Sequence, residues 1–426
     1  MTQPKSNHDD FIAIFLNPEQ SGYNASLTLT LGLKKRGYRV VYIGYPRFEE
    51  LMSDLGFEFI SLMDKDTYMG LVKKPGSRAA WELSRLMKEG VEQWLETETP
   101  ALVLLDQFTW EQAGAFLKHN IPIQAINTCL AGFYHPSVPP VFSPIVPDAA
   151  SGKANGIKNR MAWGKLRLFH WFISKINKKV MAPFLADITE NGVDISWGEY
   201  GRRLQIPELV LCPREFDFPI VAQSFNQRIY AGACVANIPD GNGDTFDWSQ
   251  IDTSKTIVYC SVGSHPWLAK NRRKLFSAAI EALKERPQLF LILQASDPKD
   301  VEHCQPLPPN VSVHEWVPQM DILSRASLFI THGGLSSVRE SIFHGVPMLV
   351  FPWGVDQPGN GARVQYHNLG QKGNAAKVTP AIMGRMIDDI LGNPTYAEAI
   401  AKMQETFRQQ EDCETGIEVV ERFFNR

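Results

Sequence analysis

Small and polar residues follow an apolar run, Leu328–Thr331, in the last quarter of the sequence. The run predicts a buried strand, and His332 and Gly334 come just after it, ahead of a helix predicted to begin near Ser336 and Ser337. Ligands of open parallel sheets bind at the carboxyl ends of strands, and a helix N-terminus offers free N–H groups to a phosphate. The glycine lets the backbone approach such a ligand, and the other side chains add hydrogen-bond donors. The pattern therefore predicts a phosphate-binding turn.

The residues around this turn could bind a nucleoside. Glu340 lies about one helical turn after Ser337, so its carboxylate could accept hydrogen bonds from two ribose hydroxyls. Trp316 ends the preceding predicted strand, where its ring could stack on a base. Val317 and Gln319 belong to the same Trp–Val–Pro–Gln segment. Base, ribose and phosphate thus each have a candidate partner, in chain order.

A further pair of polar residues follows the next predicted strand. Asp356 and Gln357 come after the apolar run Pro347–Trp353, so they are expected at the same edge of the sheet. A carboxylate beside an amide suits sugar hydroxyls, because the two groups supply both acceptors and donors. Each residue alone has an ordinary explanation, such as a core histidine or a packing tryptophan. The joint spacing is what indicates a nucleotide-sugar site.

These residues also carry a resemblance to a known family. Trp–Val–Pro–Gln, Thr–His–Gly–Gly, Ser–Ser, Glu, Gly–Val–Pro and Asp–Gln occur within Trp316–Gln357 in the order typical of bacterial members of the UDP-glycosyltransferase superfamily. Tyr259–Ser264 resembles the strand and phosphate-contacting loop that open the family's donor domain, which adds Ser264 to the expected donor contacts. The likeness is strong in the C-terminal half and weak in the N-terminal half. It implies the GT-B fold and an inverting transfer of a sugar without a metal ion.

The resemblance places the acceptor pocket in the N-terminal half, where the family's first strand–helix loop carries a general-base histidine. In the matching loop, Asn17–Asn24, Tyr23 occupies the position of that histidine. The ordinary pKa of a tyrosine, ~10, makes it a poor base at neutral pH. Asp106, which matches the family's supporting aspartate after the fourth strand, is therefore the first candidate for the base. Glu19 and His135 are further candidates, since both are expected in loops at the same sheet edge.

The composition is that of a globular protein. Hydrophobic residues make up 44% of the 426 residues and charged residues 21%, which argues against disorder and leaves material for large cores. The 43 Lys and Arg against 46 Asp and Glu give a net charge of −3, so the balance does not indicate a nucleic-acid partner. The first residues lack the apolar core of a signal peptide, and the six cysteines form no Cys-x-x-Cys pair. We therefore expect a cytoplasmic protein with reduced thiols and no metal site.

Short apolar runs alternate with helical patterns along most of the chain. Phe11–Asn17 and Arg39–Tyr45 are such runs, and Asn24–Arg36 between them reads as a helix capped by Asn24. This alternation predicts parallel strands covered by helices on both faces. The expected fold class is α/β, of the GT-B type, with two Rossmann-like doubly wound domains that face each other across a cleft.

The alternation also suggests where the domains divide. Residues 236–254 are rich in Gly, Asp and Asn and predict a linker. We expect an acceptor-binding domain in 1–235 and a donor-binding domain in 255–405. A C-terminal helix in 406–426 is expected to pack back on the N-terminal domain.

One segment departs from the alternation. Residues 151–185 contain eight Lys or Arg residues and no acidic residue, and they predict a basic helical insertion at about 151–190. Its aromatic residues are Trp163, Phe169, Trp171 and Phe172. Two interpretations remain open: a helix with a solvated basic face and a buried apolar face, or a segment that contacts an anionic membrane surface or a lipophilic ligand.

The acceptor is expected to be small and apolar. The loop Ala131–Ala149 is rich in proline and aromatic residues and, with Trp163–Phe172, could line an apolar pocket. We therefore expect an inverting glycosyltransferase that moves a hexose, with glucose as the first choice, from a UDP-sugar to a lipophilic acceptor. No cofactor is expected. Because Tyr23 stands at the usual base position, two alternatives stay open: a nucleotide-sugar epimerase or hydrolase, and a nucleotide-sugar-binding protein without catalysis.

Overall fold

The protein is described by a computed structural model. The described residues are 10–74, 76–148, 153–154, 156–224, 227–235, 246–263 and 269–424. Ser264, which we expected to contact the donor, lies outside them. The first part of the predicted linker, residues 236–245, also lies outside them.

The first sheet has seven strands, all parallel, in the order β3-β2-β1-β4-β5-β8-β9. Its strands are β1 Phe11–Phe15, β2 Arg39–Gly44, β3 Glu58–Ser61, β4 Leu102–Asp106, β5 Ile123–Asn127, β8 Glu208–Val210 and β9 Arg228–Tyr230. A separate antiparallel hairpin consists of β6 Ile195–Trp197 and β7 Arg202–Leu204. The helices of this first domain are α1 Gln20–Lys35, α2 Glu49–Asp54, α3 Lys65–Val72, α4 Ser77–Leu95, α5 Ala113–Lys118, α6 Ile157–Thr189 and α7 Pro219–Ser224.

The second sheet has six parallel strands in the order β12-β11-β10-β13-β14-β15. Its strands are β10 Thr256–Ser261, β11 Leu289–Gln294, β12 Val311–His314, β13 Leu328–Thr331, β14 Met348–Val350 and β15 Gly370–Lys372. The helices that follow in the chain are α8 Ala269–Lys284, α9 Gln319–Leu323, α10 Leu335–Phe343, α11 Gln357–Tyr366, α12 Pro380–Gly392, α13 Pro394–Gln409 and α14 Glu414–Glu421.

Both sheets reverse their strand order at one place, between β1 and β4 in the first and between β10 and β13 in the second. This is the doubly wound arrangement, in which a crevice opens at the carboxyl ends of the two central strands. The central strands are buried on both faces, as their unbroken apolar sequences require. The predicted fold class of two Rossmann-like domains is confirmed. The expected strands match observed ones, with ends that differ by up to three residues.

One predicted helix boundary was wrong. The helix α1 begins at Gln20 rather than after Asn24, and Asn24 lies exposed within it. The flanking residue Glu19 makes no side-chain cap to the helix. The asparagine signal was misleading because the buried face of α1 already includes Gly22 and Tyr23, so packing extends the helix beyond the capping pattern.

Polar contacts between the two domains are extensive and buried. Arg363 on α11 donates to Asp217 at 2.9 and 2.7 Å, and Asp217 also accepts from Arg228 at 3.3 Å. Arg228 donates to Glu208 at 2.6 Å, and Glu208 also pairs with Arg203. All five side chains are at most 3% exposed. These linked ion pairs therefore hold α11 against the edge of the first sheet that β8 and β9 form.

The C-terminal helices return to the first domain. The helix α13 packs against α10, whereas α14 packs against α1 and β9. Arg36 of α1 pairs with Glu414 and Glu421 of α14, and the sulfur of Cys234 lies 3.3 Å from that of Cys413. The last helix thus joins the two ends of the chain.

Candidate active site

His332 follows β13 and lies between two glycines. A Cβ atom added at Gly334 would lie 2.9 Å from Nε2 of His332, and one at Gly263 would lie 3.1 Å from its Cε1. Only glycine at these positions leaves room for the ring. Gly263 ends the described part of the loop after β10, so the ring stands in the crevice between β10 and β13. This placement brings His332 and Gly334 together at the start of α10.

A hydrogen-bond network joins the predicted nucleoside contacts. The amide of Gln319 donates to Ser337 at 3.3 Å and to Glu340. The amide oxygen of Gln319 accepts from the hydroxyl of Tyr259 at 3.3 Å, and the same hydroxyl contacts Gln294 at 3.0 Å. Gln319 is thereby held in one orientation, and it fixes Ser337 and Glu340 on one face of α10.

The two neighbouring residues of the Trp–Val–Pro–Gln segment have different environments. The side chain of Trp316 is 49% exposed beyond the carboxyl end of β12, which leaves its ring available for stacking. Val317 is 3% exposed and packs in the core of the second domain. The side chain of Val317 therefore has a structural role, and a donor contact at this position would have to come from its backbone.

Asp356 and Gln357 lie at the start of α11, as the spacing predicted. The amide of Asn360 donates to Asp356 at 2.9 Å and to the carbonyl of Gly333 at 2.9 Å, so it ties the two loops together. Gln357 accepts from the backbone N–H of Trp353 at 2.9 Å. Burial raises the pKa of Asp356 above its ordinary value. Asp356 is thus a positioned acceptor next to the His–Gly–Gly turn.

Asp106 ends β4 at the crevice of the first sheet and is 0% exposed. Its carboxylate caps the following 3-10 turn by accepting from Phe108 N at 3.0 Å. The other carboxylate oxygen accepts from the hydroxyl of Thr128 at 3.3 Å and lies 3.5 Å from the backbone nitrogen of Asn17. Burial raises the pKa of Asp106 to about 6, although these hydrogen bonds oppose the shift. The group therefore changes charge just below neutral pH.

Tyr23 does not reach this crevice. Its ring is 0% exposed and stacks between Tyr42 and Phe48, with centroid distances of 5.9 and 4.0 Å. Burial raises its pKa well above the ordinary value. Tyr23, which stands at the position of the family's base histidine, is therefore not placed to contact an acceptor. An α-helix rotates by about 100° per residue, so an offset of one position decides whether a side chain faces the crevice or the core.

Position 22 is the one that faces Thr128, whose hydroxyl donates to Asp106. A Cβ atom added at Gly22 would lie 3.6 Å from Cγ2 of Thr128 and 4.0 Å from its hydroxyl oxygen. Thr128 follows β5 directly and is partly exposed. Gly22 thus leaves the hydroxyl of Thr128 uncovered where a larger side chain would cover it.

The other two candidate bases, Glu19 and His135, lie in loops. Glu19 is exposed in the loop before α1, at the same end of the sheet as Asp106. His135 is partly buried in the loop after β5, where its Nδ1 accepts from Ser137 N at 3.2 Å. Burial lowers the pKa of His135. Because Nδ1 accepts this hydrogen bond, the proton of the neutral ring lies on Nε2. Nε2 then has no lone pair with which to take a proton from an acceptor hydroxyl.

The two crevices face each other through the first turns of α1 and α10. The hydroxyl of Ser336 contacts the carbonyl oxygen of Ser21 at 3.4 Å, and Arg339 donates to the same hydroxyl at 3.2 Å. Tyr200 packs edge-on against Phe108 and Phe142, at centroid distances of 5.0 and 4.5 Å. The polar ends of both sheets thus open on one cleft with an aromatic wall.

A cavity of about 900 Å³ lies in the first domain, between α6, the β6–β7 hairpin and the loop after β5. Trp163, Trp197 and Leu166 contribute apolar lining, and Arg202 with Lys178 contributes charge. Trp163 and Trp171 line this cavity as expected from the sequence. Phe169 and Phe172 do not belong to its lining and lie exposed on α6. The hairpin wall was not expected, since no sequence pattern singled it out.

Several residues of the site were missed in the sequence. Thr128 and Asn17 donate to Asp106, and Gly22 lies against Thr128. Tyr259 and Asn360 hold the donor-side residues. Thr128 and Asn17 each lie one or two residues beyond a strand, so a search for polar residues at strand ends would have found them. The role of Tyr259 depends on contacts distant in sequence and leaves no local pattern. Asn360 contacts Asp356 four residues before it, but its contact with Gly333 is distant in sequence. Among the described residues no group of three or more His, Cys, Asp or Glu side chains is placed to hold a metal ion.

The chain matches known proteins over its full length. The family model of UDP-glucoronosyl and UDP-glucosyl transferase matches residues 164–411, which is more than half of the chain. The NDP-glycosyltransferase YjiC of Bacillus licheniformis is 25% identical over 427 residues, covering 97% of each chain. The oleandomycin glycosyltransferase of Streptomyces antibioticus is 26% identical over 192 residues, which cover 45% of this chain and 46% of that protein.

Solved structures share the fold. The crystal structure of the glycosyltransferase of kitacinnamycin has a TM-score of 0.74 and 21% identity, covering 98% of this chain and 100% of that one. The glycosyltransferase VinC, solved in complex with dTDP, has a TM-score of 0.66 and 16% identity, covering 97% and 98%. The fold and the site define a GT-B glycosyltransferase. The chain belongs to the UDP-glucoronosyl and UDP-glucosyl transferase family, whose members use a nucleotide-sugar donor and an acceptor substrate.

Proposed function

We propose that the protein is an inverting glycosyltransferase that moves a hexose, with glucose as the first choice, from a UDP-sugar to a small lipophilic acceptor. The observation that carries the donor half is the Gln319 network, which holds Ser337 and Glu340 together on α10. Glu340 would accept from the ribose hydroxyls, and the exposed Trp316 would stack on the base. The second domain would thus bind the donor and the first domain the acceptor.

The sugar and the diphosphate would lie between α10 and α11. His332 and the first turn of α10 would stabilise the negative charge that develops on the leaving UDP. Asp356, held by Asn360, would accept hydrogen bonds from the hexose hydroxyls. No metal ion is part of this proposal.

Asp106 would receive the acceptor proton through Thr128. The buried carboxylate has no exposed surface for a substrate, whereas Thr128 is partly exposed and donates to it. The acceptor oxygen would attack the anomeric carbon while the bond to the UDP oxygen breaks and UDP leaves with the electron pair. The acceptor proton would pass to the Thr128 oxygen as the Thr128 proton moves to Asp106. Gly22 would leave room for the acceptor at this hydroxyl.

The lipophilic acceptor would bind in the cavity beside α6. Its lining combines Trp163, Leu166 and Trp197 with a few polar groups, which is typical of pockets for small apolar ligands. Gly198 lines the cavity, and Tyr200, two residues on, has an unpartnered hydroxyl within the described part of the chain. The carboxylate of Asp356 adds to the effect of burial in raising the pKa of Tyr200. The turn of the hairpin that lines the cavity at Gly198 thus also contributes Tyr200 to the aromatic wall of the cleft. The relative named for oleandomycin supports an acceptor of the natural-product class.

The experiment is an acceptor screen with UDP-glucose, in which UDP release and product mass are followed for a panel of lipophilic alcohols and phenols. UDP release that requires an acceptor, with a product heavier by one hexose, is expected. Turnover without an acceptor would support an epimerase or hydrolase, and tight UDP binding without turnover would support a binding protein. The variant Ser174→Trp, which fills the cavity, should raise the KM for the acceptor and leave UDP binding unchanged. If the KM for the acceptor is equal in Ser174→Trp and in the wild type, the acceptor binds outside this cavity.

A further inference from the structure

The helix α6 packs on the first domain through one face only. Its buried residues include Trp163, His170, Asn177, Met181 and Phe184, which recur every three, four or seven positions. Such a spacing traces a single stripe along an α-helix. Trp163 donates to the carbonyl of Val138 at 2.7 Å, and His170 stacks on Trp197 at 4.5 Å. The packed face is therefore fixed, and the opposite face points away from the domain.

The opposite face is apolar and uncovered. Eight large hydrophobic side chains that are at least 44% exposed lie along this opposite face and on its flank. They are Ile157, Met161, Leu168, Phe169, Trp171, Phe172, Ile176 and Val180. In the described chain thirteen large hydrophobic residues are exposed to a comparable degree, and these eight belong to one helix. Scattered exposed apolar residues need no explanation, but a contiguous strip of this kind marks an interaction surface.

The same face carries only positive charge. Lys158, Lys165 and Lys179 are exposed between the apolar side chains, and residues 151–185 contain no acidic residue. Long lysine side chains can lay their carbon stems on an apolar surface while the ammonium groups reach outward to phosphate. Lys and Arg on one helix together with Trp, Phe and Leu are the composition of helices that lie in the plane of a membrane interface.

We propose that this exposed face of α6 docks the protein on an anionic lipid bilayer. A second copy of the chain is a poorer occupant, because a symmetric contact would bring each lysine row against an identical row. No helix in the described part of the chain is long and apolar enough to cross a bilayer, so α6 would lie on the surface. The proposal rests on α6 alone and does not require sugar transfer.

The experiment is vesicle flotation with the full chain. Vesicles of phosphatidylcholine alone are compared with vesicles that also contain phosphatidylglycerol, at low and high salt. Binding to the anionic vesicles at low salt, reduced by salt, is expected, because surface charges are screened within ~8–10 Å at physiological ionic strength. The triple variants Leu168→Ser/Phe172→Ser/Ile176→Ser and Lys158→Gln/Lys165→Gln/Lys179→Gln should each weaken binding about ten-fold or more.

A matched control removes three exposed lysines from the second domain, Lys284→Gln/Lys377→Gln/Lys402→Gln, and should bind vesicles as the wild type does. Unchanged melting temperature and UDP affinity in the α6 variants would show that they fold. No vesicle binding by the wild type, or equal binding to neutral and anionic vesicles, would overturn the proposal. So would a dimer in sedimentation that the Leu168, Phe172 and Ile176 changes dissociate.

Discussion

At the scale of single residues, the acceptor side depends on Asp106 and its immediate neighbours. A fully buried carboxylate with a pKa raised to about 6 is poised to take a proton near neutral pH. It is also a cap of the following turn, so a structural role and a chemical role meet in one group. The partly exposed hydroxyl of Thr128 is what connects this group to the cleft.

The variants Asp106→Asn and Thr128→Val should each lower the single-turnover rate roughly a hundred-fold or more, the usual scale for a general base. Thr128→Ser should retain most of the rate because it keeps the hydroxyl, and Tyr23→Phe should retain it because Tyr23 lies in the core. The wild-type rate should fall as the pH drops below about 6, when Asp106 becomes protonated. Rates are measured with saturating UDP-glucose and acceptor.

Melting temperatures distinguish a loss of catalysis in Asp106→Asn from a loss of folded protein. Burial raises the pKa of Asp106, so the stability that its neutral form contributes is present below its unfolded pKa of 3.8 and is lost as the pH rises through about 6. Asparagine keeps the cap and carries no charge. Asp106→Asn should therefore melt no earlier than the wild type at pH 8. If Glu19→Gln abolishes the rate while the Asp106 and Thr128 variants retain it, Glu19 is the base.

At the scale of elements, the donor site consists of the strand β13, the turn after it and the helix α10. Hydrogen bonds from Tyr259 to Gln319, and from Gln319 to Ser337 and Glu340, support it. Residues 328–340 are consecutive, so their order in the sequence already fixes their order in space, which is why His332, Gly334, Ser337 and Glu340 could be predicted. These supporting hydrogen bonds were only partly predictable. Gln319, which begins α9, was among the predicted donor contacts, whereas Tyr259 reaches the site from β10 and was not.

The variant Glu340→Ala should weaken UDP binding about ten- to a hundred-fold, since a hydrogen bond to a charged group contributes roughly 1.5–3 kcal/mol. Titration calorimetry with UDP measures the change. The control Glu281→Ala removes an exposed carboxylate from α8 in the same domain and should leave the affinity unaltered. An unchanged affinity in Glu340→Ala would remove Glu340 from the donor site.

The acceptor-side elements were predicted less well for a physical reason. The cap signal at Asn24 placed the start of α1 several residues too late. The match to the family's base position selected Tyr23, one residue from Gly22, and one residue changes the phase of a helix by about 100°. Packing of Tyr23 on Phe48 and Tyr42 sets that phase, and no local pattern encodes it. In α6, by contrast, the sequence left two interpretations open because apolar residues occur on both faces, and only the fold shows which face is covered.

At the scale of the whole molecule, two doubly wound domains present their switch points to each other. The contact of Ser336 with Ser21 and the buried charges around Asp217 hold the first turns of α1 and α10 and the start of α11 at one cleft. The C-terminal helix α14 closes the arrangement by pairing with α1. The doubly wound halves and their order could be predicted from alternating apolar and helical patterns, whereas the interdomain contacts could not, because their partners are far apart in sequence.

The proposed activity of this cleft is the transfer of a sugar with inversion. The most direct measurement is the mass and the anomeric proton coupling, by NMR, of the product formed from UDP-α-glucose and a lipophilic alcohol. We expect a product heavier by one hexose with the β configuration, because the acceptor oxygen on the first domain attacks opposite the UDP held by the second. An α-glycoside, or free glucose with unmodified acceptor, would contradict it.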